Sequence, residues 1–257
     1  MPNKIDFSKY QFRCSSLGKI MSKKGDLTQG NMTYLQELFI GEIYGIRKEV
    51  TSKYFEKGNY MEEDAVSMIN KVFYPGQLLV KNKERKYDEH IHGEMDTLGP
   101  DGIIYDAKNA WDLFSFGKAD LTWDYEWQGI GYMKLWDKKK FRLFYCLNNM
   151  PEHLLIGEER KLFYQHNFVT YEDEEYQNLC LELRAKHNYD QMPLEEKFKV
   201  WEVDQDEDKI EALVKKIEVC RKYLCKLYDA HLEMIENNQR LMGKVVKLNL
   251  DKLKKIS

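Results

Sequence analysis

Nothing in this chain approaches the roughly 20 consecutive apolar residues that a membrane span requires, and its opening, MPNKIDFSKYQF, holds no apolar run of secretory-signal length. A soluble, intracellular protein is therefore expected, cytoplasmic and, if phage-encoded, in the host cell. Cysteine supplies no framework either. The five cysteines, Cys14, Cys146, Cys180, Cys220 and Cys225, are odd in number and have no CxxC spacing, which points to free thiols in a reducing compartment. The five prolines do not cluster, and there is no repeat or low-complexity linker. A glycine-rich phosphate loop is missing, so ATP hydrolysis is not expected. What is present is enough for a core: 257 residues, 43% of them apolar, suit one large domain or one domain with a helical extension.

An excess of either charge is also lacking, since 40 basic and 43 acidic residues leave a net of only −3. The balance is uneven along the chain, because residues 152 to 208 hold 16 acidic and 6 basic side chains. Basic clusters fall at Lys19, Lys23 and Lys24, in KNKERK (81 to 86), in KKK (138 to 140) and in the tail from Lys244. A local positive surface is what phosphate binding needs, whatever the total. Ordinary solvated charge explains each cluster alone equally well.

Residues 33 to 49 carry Leu35, Leu38, Phe39 and Tyr44 at helical spacing, and a second helix is expected from Gly58-Asn59 through NYMEEDAVSMINKVF. In that helix Glu62 shares a face with Val66 and Ile69, so a carboxylate ends a core-facing stripe. HIHGEMD (90 to 96) and GIIYDAKNA (102 to 110) read as strands joined by TLGPDG. Alternation in the second places Ile104, Asp106 and Lys108 on one face and Ile103, Tyr105 and Ala107 on the other. Residues 124 to 137 read as a helix despite two glycines, and 141 to 147 as a strand. This order suits an α/β layer structure around a mixed sheet. From Ile210 a seam of Leu213, Ile217, Cys220, Leu224, Leu227, His231 and Met234 predicts a long helix, packed on its own domain or on another subunit.

Glu62, Asp96 and Asp106 are the acids that such a fold can bring together. Hydrolysis of a phosphodiester needs an activated water and neutralised charge in the transition state, and a divalent metal on hard oxygen ligands supplies both. Packed without a cation the carboxylates repel. Lys108, two residues beyond Asp106, offers a point charge on the same side, although an Asp-x-Lys triplet on a polar hairpin face is also commonplace.

Four stretches carry a resemblance: FRCSSLGKIM (12 to 21), GNYMEEDA (58 to 65), GEMDTLGPDGIIYDAK (93 to 108) and YEWQGIGYM (125 to 133). In this order the chain resembles the PD-(D/E)XK nuclease superfamily, and within it the phage lambda exonuclease and YqaJ-type viral recombinase family. The resemblance implies a restriction-endonuclease-like mixed central sheet flanked by helices, with a nuclease domain over residues 1–200 and a C-terminal helical extension over 201–257, packed on it or used for oligomerisation. By the same resemblance Glu62, Asp96, Asp106 and the carbonyl of Ala107 would hold one or two Mg2+ ions, with Mn2+ substituting. Lys108 would position the nucleophile and Gln128 would face the site from the next helix. Ser15, or Ser16, with Arg13 would contact a terminal DNA phosphate.

The departures from the family pattern are an aspartate, Asp106, where glutamate is commoner, and Met95 in place of the proline before Asp96. Glu63 is the neighbour that could stand in for Glu62. Pro100-Asp101 belongs to the turn; were Asp101 the ligand, the hairpin register would be wrong. Related nucleases sometimes hold an iron–sulphur cluster, but Cys220 and Cys225 fall near a helical core stripe and packing accounts for them better. His90 and His92 read as a polar hairpin face or as metal or DNA contacts, and Trp123, Trp127 and Trp136 as core, with base stacking open for one.

The resulting expectation is a metal-dependent exonuclease acting 5′ to 3′ on double-stranded DNA ends in phage recombination or replication. A single-strand annealing protein and a homo-oligomer, a ring or trimer by analogy, are the implied partners, with no membrane. The rivals are a structure-selective or repair endonuclease of the same fold and a non-catalytic DNA-binding assembly protein.

Overall fold

The computed structural model describes residues 5–23, 25–46, 53–77 and 79–253. Lys24 and the side chains of the basic tail from Lys244 lie outside the described residues. After a short 3-10 turn, Phe7–Lys9, come β1 (Phe12–Arg13), a turn at Cys14–Ser16, α1 (Leu17–Ile20), α2 (Gln29–Tyr44), α3 (Lys53–Tyr60) and α4 (Glu62–Phe73). The strands β2 (Lys86–Tyr87), β3 (Ile91–Gly93), β4 (Thr97–Leu98) and β5 (Ile104–Asn109) follow. Next are α5 (Leu113–Gly117), α6 (Trp123–Trp136), β6 (Lys140–Cys146), α7 (Glu152–Gln165), α8 (Glu174–Lys186), a turn at Leu194–Lys197, β7 (Phe198–Asp204) and α9 (Glu207–Leu253).

These elements form two compact units. The larger holds Phe12–Gly18 and Glu49–Ile210; the smaller holds Met1–Gln11, Lys19–Lys48 and Glu211–Ser257. In the larger unit a four-stranded sheet runs β4-β5-β6-β7. Its central pair, β5 and β6, is parallel, and both outer pairings are antiparallel. A separate three-stranded sheet runs β1-β3-β2.

The faces of the central pair are covered because of what their side chains are. Tyr105, Ala107, Phe144 and Cys146 pack with Ala65, Val66 and Ile69 of α4 into one buried cluster. A fully buried Val or Ile contributes roughly 1.5–3 kcal/mol, so this stripe fixes α4 and with it Glu62 in the first turn. The acids of that turn, Glu62, Glu63 and Asp64, also complement the helix dipole. On α6, the glycines that weaken a helix in isolation are packing sites. A Cβ on Gly129 would stand 2.4 Å from the Phe141 ring, and one on Gly131 would stand 2.6 Å from Leu17. The helix therefore lies close against β6.

Several expected boundaries move. The first helix begins earlier, at Gln29, and stops at Tyr44, where Gly45 takes a left-handed φ of 68°; residues 47–49 lie outside the described ones. The second expected helix is two, α3 and α4, broken at Met61. The expected hairpin from residues 90 to 110 is shorter. Residues 91–93 belong to the three-stranded sheet, and only Thr97 and Leu98 pair with Tyr105 and Ile104. Asp96 thus precedes a two-residue strand rather than ending a long one. The acidic stretch forms the pair α7 and α8 and the edge strand β7, none of which was segmented from the sequence.

In the smaller unit, Leu213, Ile217, Cys220 and Leu224 of α9 are fully buried. Phe7 packs its ring on Phe39 and Tyr228. The buried Lys216 donates to the carbonyls of Gly25 and Asp26 and to Ser22 Oγ. Further along, the seam is no longer buried: Met234 is 49% exposed.

Candidate active site

Asp106 lies in the middle of β5, on the face opposite Tyr105 and Ala107, and its side chain is 1% exposed. Three neighbours meet it. Gln128, next to the close approach at Gly129, donates from Nε2 to Asp106 Oδ1 at 3.0 Å and to Tyr132 Oη at 3.0 Å. Lys108 Nζ stands 2.6 Å from Asp106 Oδ2. That contact is ionic and off the hydrogen-bonding direction, so Oδ2 is a buried oxygen without a directed donor. Lys108 also faces the Tyr125 ring at 5.4 Å.

Asp96 reaches the same place from the segment before β4, and its Oδ2 accepts from the Ala107 amide at 2.8 Å. Burial raises its pKa well above the usual carboxylate range, and the Asp106 charge raises it further, against the opposing pull of Lys108. Asp106 is raised as well, chiefly by burial, with Lys108 opposing. Burial disfavours the Lys108 cation, but Asp106 and Asp96 outweigh it and hold its pKa above the ordinary lysine value. Glu62 acts on both aspartates through its charge. Its carboxylate is paired with Lys81, whose Nζ lies 2.7 Å from Oε2. The two side chains are 34% and 24% exposed, and a pair in that setting is worth no more than about 1 kcal/mol.

The structure therefore brings Asp96, Asp106, Lys108 and Gln128 together around Ala107, with Glu62 at longer range. Among the described residues no three acidic, histidine or cysteine side chains form a closed cage for an ion. The donor set still suits a hard divalent cation. Such an ion takes one or two carboxylates and retains several waters, and the buried Asp106, with an oxygen that lacks a directed donor, beside a half-buried Asp96 whose ionisation the Asp106 charge opposes, offers that. Glu63 is exposed. Asp101 is engaged elsewhere: Tyr74 and Tyr105 both donate to its Oδ2 at 2.7 Å, and Arg142 pairs with it at 3.3 Å.

The phosphate candidates lie beside this centre. Arg13 is paired in register with His92 across β1 and β3, which puts both side chains on one face. Arg13, Cys14, Ser15, Arg85, His92, Gly93, Glu94 and Tyr132 line a cavity of about 130 Å³. Ser16 is not part of its wall. Burial, then the charges of Arg13 and Arg85, lower the His92 pKa, so the imidazole is neutral between two guanidiniums. Tyr132 joins the cavity to Asp106 through Gln128. Gly93 permits this, since a Cβ there would stand 2.8 Å from the Tyr132 ring.

His90 is outside that wall, with its amide donating to Asp88 Oδ1 at 2.7 Å. Trp127 and Trp136 are buried, while Trp123 is 37% exposed. All described cysteines are free thiols, and Cys220 is buried in the α9 stripe. Sequence reasoning missed Tyr132, Arg85 and Lys81. Tyr132 was within reach, because it follows Gln128 by one helical turn; the two cations carry no local signal that separates them from their basic run.

The central sheet with its parallel pair, α4 on one face and α6 on the other, is the fold of the phage-related and alkaline exonucleases. Solved structures that share it include a phage-related exonuclease from Haemophilus somnus 129PT, with a TM-score of 0.67 and 24% identity over 87% of this chain and 97% of that one. They also include an alkaline exonuclease, LHK-Exo, from Laribacter hongkongensis, with a TM-score of 0.56 and 10% identity over 92% of this chain and 96% of that one. The same LHK-Exo in complex with dAMP matches at 0.56 and 11% identity, over 91% and 96%. No family model and no curated protein matches the sequence. At these identities the likeness is one of fold. No helix among the described residues is long and apolar enough to cross a membrane.

Proposed function

We propose that the protein is a metal-dependent exonuclease that hydrolyses phosphodiester bonds from the ends of linear double-stranded DNA, 5′ to 3′, in phage recombination or replication. The observation that carries this reading is the buried Asp106 beside the half-buried Asp96, with Lys108 and Gln128, set on an exonuclease fold. Asp96, Asp106 and the Ala107 carbonyl, with Glu62, are the groups that would hold Mg2+ or Mn2+. When bound, the ion would supply a polarised water and neutralise charge on the phosphate.

The remaining chemistry belongs to the side chains. Gln128 keeps Asp106 in one orientation, which leaves Oδ2 directed at the site. Lys108, held protonated by the two aspartates, offers a fixed positive charge to the developing phosphorane. Arg13, Ser15 and the neutral His92 surround a cavity of phosphate scale, where a terminal phosphate would be gripped by the guanidinium and hydroxyl. A strand end bound there is linked to Asp106 through two side chains, Tyr132 and Gln128. A homo-oligomeric ring and an annealing-protein partner belong to the same reading by family resemblance.

The test uses three duplexes, linear with a 5′ phosphate, linear dephosphorylated and covalently closed circular, each with magnesium or with chelator. Progressive loss of the phosphorylated linear duplex first, an intact circle and no reaction in chelator are expected. Cutting of the circle at a comparable rate would convert the assignment to an endonuclease. An Asp106→Asn variant as active as the parent would remove the site.

A further inference from the structure

We propose that Lys81 is a second phosphate-binding ammonium of this site, resting on Glu62 in the free protein and passing to a phosphate oxygen of the bound strand. The inference rests on the nuclease reading above and extends it to a residue outside the family motif.

The placement of Lys81 is built. Residues 79–82 run beside the segment that carries Asp96 and are fastened to it on both sides of Lys81. Thr97 Oγ1 donates to the Val80 carbonyl at 2.7 Å. The Asn82 amide donates to the Asp96 carbonyl at 2.7 Å, and Asn82 Nδ2 donates to the Met95 carbonyl at 3.2 Å. Leu79 is tied in turn to α4, its amide donating to Asn70 Oδ1 at 3.2 Å. A lysine on an ordinary solvated loop needs no such anchoring. Here the anchored backbone is the one flanking Asp96, and the amine it delivers lies on the acid at the start of α4.

The electrostatics agree with this geometry. The hydrogen bond to Glu62 favours the Lys81 ammonium most, against desolvation, and the charges of Glu62, Asp96 and Glu63 add to it, so that Asp96 is the acid Lys81 shares with Lys108. About a third of the side chain remains exposed, which leaves it able to turn toward solvent or a ligand. A carboxylate engaged with an ammonium is a weaker cation ligand, and a phosphate arriving beside Glu62 is the anion that can relieve it. Exchange of one anion for another requires no new charge to be buried.

Binding of a linear duplex is measured by fluorescence anisotropy in chelator over a range of salt, with Mn2+ uptake by calorimetry in the absence of DNA. Lys81→Met is expected to bind DNA roughly 3- to 10-fold more weakly and to flatten the dependence of log affinity on log salt by about one. The same variant is expected to take up Mn2+ more tightly than the parent, because Glu62 is released. Lys81→Arg is expected to restore DNA affinity, and Glu62→Gln to bind DNA in chelator at least as tightly as the parent. If Lys81→Met is folded and keeps the parent's DNA affinity and salt slope, Lys81 is only a partner of Glu62 and the proposal is overturned. Should that variant not fold, Lys81→Gln is read in the same way, and parental behaviour from it has the same meaning. Asp106→Asn in the digestion assay separates the two failures: its activity tests the nuclease reading, which stands or falls independently of Lys81.

Discussion

Burial makes ionisation costly at both Asp96 and Asp106, with the Asp106 charge adding to it at Asp96 and the Glu62 charge at both, and the sign of the consequence is fixed by linkage. A carboxyl whose folded pKa lies above its unfolded value binds protons more readily in the native state, so native stability is lost as pH climbs from the unfolded value through the folded one. Asp96→Asn, which cannot ionise, is expected to be more stable than the parent at pH 8 by about 0.5–2 kcal/mol, with the difference vanishing near pH 4. Thermal unfolding in chelator checks this. Adding Mn2+ should stabilise the parent and leave the variant nearly unmoved. Gln128→Ala, which frees Asp106 Oδ1, is expected to lower kcat by roughly 10- to 100-fold with little change in fold.

Another residue carries the opposite sign. Lys57 is fully buried, and its Nζ donates to the carbonyls of Trp111 at 3.0 Å and Asn148 at 2.9 Å, just beyond the ends of β5 and β6. Burial lowers its pKa to about 8, against the pull of Asp112. The unfolded chain then holds the proton over a range where the folded one has released it, so this residue's contribution rises from pH 8 toward roughly 10.4. Lys57→Met orphans two carbonyls and should cost about 2–4 kcal/mol, and the gap between parent and variant should widen between pH 8 and 10. A gap that narrows over that range would show that the amine is held protonated.

At the scale of elements, the site depends on how closely α6 lies against β6. Gly129→Ala would drive a methyl into the Phe141 ring, which is held at 0% exposure. The strain is expected to cost about 1–3 kcal/mol and to reduce activity by moving Gln128 away from Asp106. Gly117, where a Cβ meets nothing within 4 Å, is the control, and Gly117→Ala should change stability by no more than about 0.5 kcal/mol. Equal effects from the two substitutions, read by chemical unfolding, would refute the close-packing account. The same helix marks the limit of what periodicity makes legible. The first turns of the α9 seam follow from periodicity, because they bury one continuous face; α6, buried at every residue from Trp127 to Met133, has no such face, and β6 follows from its aromatic, strand-favouring composition. The faces of β5 follow from alternation, and they put Asp106 and Lys108 on the side opposite Tyr105. The two-residue strands leave no period to read, which is why Asp96 was assigned to a long hairpin. The edge strand FKVWEVD had β-rich composition as a signal, masked by the acidic run around it. Lys57 is not legible because a lysine's burial depends on chain segments distant in sequence, and Lys81 is legible only as one cation of the KNKERK run.

For the molecule as a whole, the distribution of charge matters more than the net of −3. Of the basic runs, KKK (138 to 140) faces acids on the neighbouring edge. Lys140 pairs with Glu202 and with Asp204 at 3.2 Å, and Lys139 reaches Glu207 at 3.5 Å. Arg142, two residues on, holds Glu202 at 2.6 Å. Acids from the segment with the acidic excess, residues 152 to 208, which reaches into the start of α9, thus offset that cluster. Arg13 and Arg85 instead face the cavity beside Asp106, where Arg85 has only Glu94 at 3.6 Å as its ion pair among the described contacts. If binding of a DNA end is carried by those cations, log affinity falls with log salt by about 0.9 for each phosphate engaged. Replacing Arg13 and Arg85 by alanine together should therefore flatten the slope by about two. The same change at Lys139 and Lys140 should leave it unaltered, because Glu202, Asp204 and Glu207 already pair with them. Anisotropy titrations of both double variants between 50 and 200 mM salt, a range over which each lost contact changes affinity by roughly threefold, distinguish the two. A flattened slope for the Lys139 and Lys140 pair, with a parental slope for Arg13 and Arg85, would move the DNA path away from the cavity and onto the β6–β7 edge.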